Sequence, residues 1–462
     1  MNPNDLAASV DVLIAGAGPT GLSTALALAP LGLRVVLVDP QSIEQLADPS
    51  PDGRELALTH RTEALLRQWG LWERLPAQAR APLQAASVST GGAQAALRLD
   101  ASQARVGLPP LPALPRPGWL PQALPWLPDL AARALGEASP APSPIAADTH
   151  LGTLVSQHAL RRVLWAGCAA LPGVRVLAGH RLESMQRDDD GVTVHLVGPQ
   201  GQARMLRTSL LVAADGRLSA VRRMAGLVAE LHDFGRSAIV CRMRHEQPHR
   251  QVAHEAFHHG HTLAVLPLAD ASDPGEGGQA GVLPRHCSSF VVTAPSEQAR
   301  RWMALPAADY AATVEPWLDG QLGRIQPGPG EESRRHLYPL VATWAPRLVS
   351  QRVALVGDAA VGMHPVTAHG FNLGLYSAET LARQIARRAR GGQVDPADAR
   401  ALDAYDREHR HTARWIFHGT NAVVRLFTDD RPAARLARQA TLHLAERLPP
   451  VKALIVRQLV DA

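Results

Sequence analysis

The clearest pattern of apolar and polar positions lies in the first forty residues. Val10–Ala15 is an apolar run of strand length, and Gly16-Ala17-Gly18-Pro19-Thr20-Gly21 is a turn. Leu22–Leu31 then predicts a helix, and Arg34–Val38 a second strand ending at Asp39. Further on, Val192–Val197 alternates and Leu210–Ala214 is continuously apolar; Leu263–Leu268 and Ser289–Thr293 also predict strands. These four suit a second unit whose sheet covers one side of the first. Ala354–Val356 predicts another strand, followed by a loop punctuated by glycine and proline. A helix from about Asn372 to Arg390 comes next, stopped by Gly391-Gly392, and 396–460 is predicted helical.

Two stretches break the pattern. Residues 108–144 hold eleven prolines, with Trp119 and Trp126 among them. Proline at that density removes N–H donors and favours extended, unpaired backbone, so 101–150 is expected to be an inserted surface loop. Asp270–Arg285, rich in glycine, proline and acids, is expected to be a second loop. The uncharged run Val12–Leu33 is 22 residues long, nominally enough to span a bilayer. Its glycines and Pro19 fit a buried strand, turn and helix better.

Composition narrows the chemistry. Of 47 Lys+Arg in 462 residues only Lys452 is a lysine, which argues against phosphate-loop NTPases, kinases and Schiff-base enzymes. The length suggests two or three domains. A net charge of +5 gives no sign of nucleic-acid binding. Cys168, Cys241 and Cys287 are too scattered for a metal-ligand pair or a disulfide framework. The residues from Met1 to Asp5 lack a signal peptide's positive region, so a cytoplasmic protein is expected.

The motifs come next. The spacing of Gly16, Gly18 and Gly21 between a strand and a helix lets the backbone approach a pyrophosphate at the helix N-terminus, and Asp39 can accept from a ribose. An aspartate–glycine turn, Asp215-Gly216, follows the strand at Leu210–Ala214. The block Gly357-Asp358-Ala359-Ala360 runs through His364-Pro365 to Gly370-Phe371-Asn372-Leu373-Gly374-Leu375, placing an acid at a strand end and a helix N-terminus after it. Such an N-terminus can hold negative charge on a ligand. His254-Glu255-Ala256-Phe257-His258 matches a zinc-protease string, but Gly260 and the strand after it predict a hairpin, so no metal site is expected.

In order and separation these motifs resemble those of the flavin-dependent aromatic monooxygenases of the para-hydroxybenzoate hydroxylase superfamily. Asp52-Gly53-Arg54-Glu55-Leu56-Ala57-Leu58, Tyr338-Pro339-Leu340 and Asn421–Phe427 are similar to segments of its ubiquinone-biosynthesis hydroxylases. The resemblance spans nearly the whole chain except residues 100–150 and Asp270–Arg285.

It implies an α/β fold with a Rossmann-like FAD-binding domain (1–87, 151–228 and 345–395) and a mixed-sheet substrate domain (88–100 and 229–344). A C-terminal helical region covers 396–462. Gly16, Gly18, Pro19, Gly21 and Leu22 would seat the FAD pyrophosphate, and Asp39 the adenosine ribose. Arg54, Gln157 and Arg161 (or Arg162) would lie along the cofactor, and Asp215 and Gly216 would support pyrophosphate and nicotinamide binding. Gly357 and Asp358 would hold the ribityl chain, with Pro365, Gly370, Asn372 and Leu373 near the ring. His369 and Gln157 depart from the residues common in relatives, glutamine and asparagine respectively.

The implied reaction takes NAD(P)H and O2 through a flavin C4a-hydroperoxide to hydroxylate the ring of a polyprenylated phenol or quinol in ubiquinone biosynthesis. No catalytic acid or base can be named. His364 and His369 are candidates for which a structural role is favoured. The basic, amphipathic stretch Arg431–Gln458 fits either peripheral membrane contact or a packed helix. Contact with a biosynthetic complex is a further expectation. The alternatives are a hydroxylase of a small soluble aromatic, a flavin reductase of isoprenoid double bonds, or a non-catalytic FAD-binding accessory protein.

Overall fold

The computed structural model describes residues 9–90, 97–101, 150–258, 260–269, 286–328, 333–364, 370–389, 394–428, 431, 441–442, 445–447 and 452. Most of the expected insertion, the loop at 270–285, Pro365, His369 and most of the tail beyond 428 lie outside them. The architecture is α/β, with three sheets among the described residues.

The first sheet is built on Ser9–Ala15, which pairs in parallel with Val35–Asp39 on one side and Ala203–Ala213 on the other. Val174–Ala178 and Val353–Leu355 extend it in parallel at the two sides. Runs such as Val35–Asp39, buried at every position, suit parallel strands covered on both faces. Helix Pro19–Leu28 packs against helices Gln157–Ala169 and Gly370–Ala386, and the last of these against Ala399–Thr428. The uncharged run Val12–Leu33 therefore divides into strand, turn, helix and a 3-10 turn. Among the described residues no helix is long and apolar enough to cross a membrane.

Val192–Val197 and Leu210–Ala214 do not join a second unit as their pattern suggested. Val192–Val197 pairs antiparallel with Ala203–Ala213, whose far end is a parallel neighbour of Ser9–Ala15. Alternation describes only the half-buried end of this sheet, and pairing partners decide membership.

The second sheet has nine strands among the described residues: eight run from Val361–Gly362 through His336–Trp344, Glu230–His245, His286–Pro295, Thr262–Pro267, Val252–Phe257 and Ala85–Ser89 to Leu97–Asp100, and Ile325–Pro327 pairs with Glu230–His245 off that path. The expected boundary at 87 thus falls inside Ala85–Ser89. One face of this sheet carries Ile239, Cys241, Met243, Leu263, Val265, Phe290 and Val292. They pack on helices Ser296–Met303 and Ala307–Val314 through Ala299, Tyr310, Ala311 and Val314. By the two-residue repeat, the opposite face carries Val240, Arg242, Glu255, Ala264, Ser289 and Val291. Helix Gly370–Ala386 starts two residues before the position predicted.

Candidate active site

The glycine turn is shaped by close contact. Gly16 has φ +102°, and a Cβ there would stand 2.5 Å from Ala214 O. At Gly21 a Cβ would meet Gly16 O at 1.9 Å, an overlap that no side chain survives. Gly18 differs, because a Cβ would find nothing within 4 Å. That open side lies at the N-cap of Pro19–Leu28, where no side chain caps the helix. Uncapped first-turn amides beside open space are the donor set that a pyrophosphate needs, so the residues present fit a dinucleotide. Pro19 occupies the first turn and Leu22 is buried beneath it, its carbonyl accepting from Cys168 Sγ.

Asp39 sits at the end of its strand and faces this turn. Its Oδ2 accepts from Ala17 N at 2.8 Å and its Oδ1 from Gln41 N at 2.9 Å. Gln41 Oε1 in turn accepts from Arg161 Nη2. Burial lowers the pKa of Arg161, with Asp52, Arg54 and Asp39 close enough to act on it electrostatically. Asp52 receives Arg54 Nη2 at 2.7 Å and Gln157 Nε2 at 2.9 Å. The structure therefore brings Asp39, Arg54, Gln157 and Arg161 into one neighbourhood. The Arg54 guanidinium also lies 4.9 Å from the ring centre of Tyr338, whose hydroxyl donates to Asp52 O.

The later motifs meet at the other side. Asp215 is engaged by its own turn: it accepts from Ser219 Oγ and from the amides of Ala220 and Val221, starting the short helix Ala220–Met224. Gly216 follows with φ +82°. Asp358 lies in the 3-10 turn Gly357–Ala359 and accepts from Arg217 Nε. Cβ atoms at Gly357 and Gly374 would come within 2.7 and 2.8 Å of Thr20 Oγ1, so the block packs directly on the first helix. Gly370 opens helix Gly370–Ala386, and Leu373 is buried behind it. Asn372 accepts from Thr59 N and Thr62 Oγ1 and donates to Ala57 O, joining the helix to the chain after Arg54.

The family model described as an FAD binding domain matches residues 9–420. Ubiquinone hydroxylase UbiM of Neisseria meningitidis is 34% identical over 449 residues, covering 97% of this chain and 84% of that protein. Ubiquinone hydroxylase UbiL of Rhodospirillum rubrum is 32% identical over 448 residues, covering 97% and 88%. The chain belongs to the FAD-dependent monooxygenase family. Among solved structures, p-nitrophenol 4-monooxygenase PnpA from Pseudomonas putida aligns with the monooxygenase at a TM-score of 0.67 and 21% identity, covering 98% of both chains, which shows the shared fold.

Within the monooxygenase, His364 is buried, and burial together with Arg217 and Arg236 pushes its pKa down to about 4. A neutral ring edge-on to Phe234 is a packing arrangement. His254 and Glu255 lie on strand Val252–Phe257, which forms the predicted hairpin with Thr262–Pro267. Alternate strand positions point to opposite faces, so the string cannot set two histidines on one helical face.

Four residues beside the site were not singled out from the sequence as site residues. Thr20 sets the spacing to the late glycines, and Arg217 clamps Asp358. Asp52 collects Arg54 and Gln157, and Tyr338 supports the Asp52 backbone. Thr20, Asp52 and Tyr338 each lie inside a motif segment named from the sequence, which was the local signal available.

Proposed function

We propose that this enzyme hydroxylates the aromatic ring of a polyprenylated phenol or quinol in ubiquinone biosynthesis, using FAD, NAD(P)H and O2. The observation that carries the reading is 34% identity across 97% of the chain to a ubiquinone hydroxylase. When bound and reduced, FAD supplies the oxygen-activating chemistry. In this reading Gly16, Gly18, Pro19, Gly21 and Leu22 seat the pyrophosphate, and Asp39 holds both the turn and the ribose. Arg54, Gln157 and Arg161 line the cofactor; Gly357 and Asp358 take the ribityl chain, and Gly370, Asn372 and Leu373 back the ring. Asp215 and Gly216 act through the shape of their turn, since the carboxylate is engaged within it.

In this reading the nine-stranded sheet, which meets the chain around Arg54 through His336, Val240 and Arg242, limits water that would otherwise consume the activated oxygen. On the side toward the loop before Arg54 it carries an apolar strip, Val240, Ala264 and Val291 in adjacent strands, which suits a prenylated ring. A substrate of that kind resides in a bilayer, so peripheral contact on the inner membrane face is part of the proposal.

The purified protein is expected to show a flavin spectrum and to convert 2-farnesylphenol to a dihydroxylated product with NAD(P)H and O2. Absence of any bound or reconstitutable flavin would remove the whole reading. Turnover of simple phenols with none of the prenylated one would favour a small soluble aromatic instead.

A further inference from the structure

One row of side chains crosses the nine-stranded sheet on the cofactor-loop side. The pairing register sets Val88, Glu255, Ala264, Val291, Val240 and His336 side by side. At the His336 end the row meets the loop before Arg54: a Cβ on Gly53 would stand 3.0 Å from His336 and 3.6 Å from Val240. Three strand spacings of ~4.8 Å separate Glu255 from Val240, about 14 Å in all. The floor between them is Ala264 and Val291, paired neighbours that are both partly exposed. In the adjacent row Ser289 Oγ comes off the same face, buried and with no hydrogen-bond partner among the described residues.

We propose that Glu255 is the base for the substrate, taking the proton of the ring hydroxyl while the ring lies over Ala264 and Val291 toward the cofactor. The inference rests on the function proposed above. The step balances simply: the phenol O–H bond breaks, the carboxylate gains the proton, and the ring gains the electron density of a phenolate, the form that attacks an electrophilic oxygen. A carboxylate is ordinarily too weak a base for a phenol, and its environment corrects this. Glu255 keeps some accessible area, yet its carboxyl is enclosed deeply enough that burial pushes its pKa up to about 8. Among the described residues no hydrogen bond or ion pair opposes that rise.

The groups facing Glu255 from the strands beside it are Val88 and Ala264, neither titratable. His254 points to the opposite face of the sheet. Along the cofactor-loop side the other titratable and charged groups are Arg244, Cys287, His336, Tyr338, the pair Arg54–Asp52, and Glu55, the last paired with Arg242 at 2.7 Å and raised to about 7. Glu446 and Lys452 pair with each other near the Leu97–Asp100 edge, where Leu442 and Ala445 pack near Phe257.

The test compares the flavin-loaded wild type with Glu255→Gln and Glu255→Asp, using 2-farnesylphenol across pH 6 to 10. Wild-type kcat should rise about tenfold per pH unit and level off near pH 8. Glu255→Gln should lose about 100-fold in kcat and lose that limb, with its flavin spectrum unchanged and its NAD(P)H consumption diverted to hydrogen peroxide. Glu255→Asp should keep the limb at a lower rate, which supplies the answer if the glutamine variant does not fold. Equal rates and equal pH limbs in wild type and Glu255→Gln overturn the assignment and leave the proposed function standing. A wild type that reduces its flavin but hydroxylates no prenylated phenol overturns both.

Discussion

Arg217 Nε donates to Asp358 Oδ2 at 2.8 Å, joining two motifs 141 residues apart. Both side chains are about one-third exposed (33% and 35%), so the ion pair alone contributes modestly. The same guanidinium also donates to Val341 O at 2.7 Å and Met363 O at 3.2 Å, so one side chain holds three segments. Arg217→Met is expected to lower stability by about 2 kcal/mol, within the range for charged hydrogen bonds. It should also release FAD faster, followed by the rise in flavin fluorescence. Retention equal to wild type would show that Asp358 needs no clamp.

The glycine turn separates shape from approach. Gly21→Ala drives a methyl into Gly16 O, so the variant is expected to be insoluble or flavin-free. Gly18→Ala meets open space and should fold with a loss of about 1 kcal/mol at the N-cap. Its FAD affinity should still fall, because the methyl stands where the pyrophosphate approaches. Thermal melts and flavin titration distinguish the two outcomes.

Asn372 is 4% exposed and spends its amide on Thr59, Thr62 and Ala57. Asn372→Leu strands these partners without water. A cost of about 3 kcal/mol is expected from unsatisfied buried groups, read as a lowered urea midpoint. The loss should extend to flavin binding, since strand Glu55–Leu58 follows Arg54 directly.

Stability should peak on the acid side of neutrality. Burial pushes His364 and His409 down to about 4 and about 3, so the unfolded chain binds protons there that the folded one does not. Stability from these groups is complete above an ordinary histidine pKa of about 6.5 and is lost as pH falls toward the folded values. Glu255 and Glu55, raised to about 8 and about 7, act in the opposite sense: their contribution declines as pH rises from about 4.5. Urea midpoints from pH 4 to 9 should therefore fall on both sides of about pH 5–6. Glu255→Gln should flatten the alkaline side.

The strand, glycine turn, helix and Asp39 were legible because each depends on neighbours within a few residues. The hairpin at His254 was legible for the same reason, through Gly260. Partnerships across the chain were not. Nothing near Thr20 announces Gly357 and Gly374, and nothing near Arg217 announces Asp358. The alternation of Val192–Val197 pointed to a second unit while the resemblance placed it within 151–228, because alternation records only which side of a strand is wet, and two different sheets can supply the same alternation. Glu255 was noticed only inside a metal motif, because its meaning comes from the row it shares with Val240 and not from the histidines beside it.

The parallel sheet draws Val353–Leu355 to the side of Ala203–Ala213, and helix Gly370–Ala386 closes against the first helix. During synthesis the glycine turn emerges early, while the surfaces that complete it emerge near the end. Until residues 353–355 are made, the Ala203–Ala213 edge lacks its parallel neighbour. The first helix is thus completed by a segment about 350 residues further along the chain, and truncation before that segment would remove the packing partner of the glycine turn's own helix.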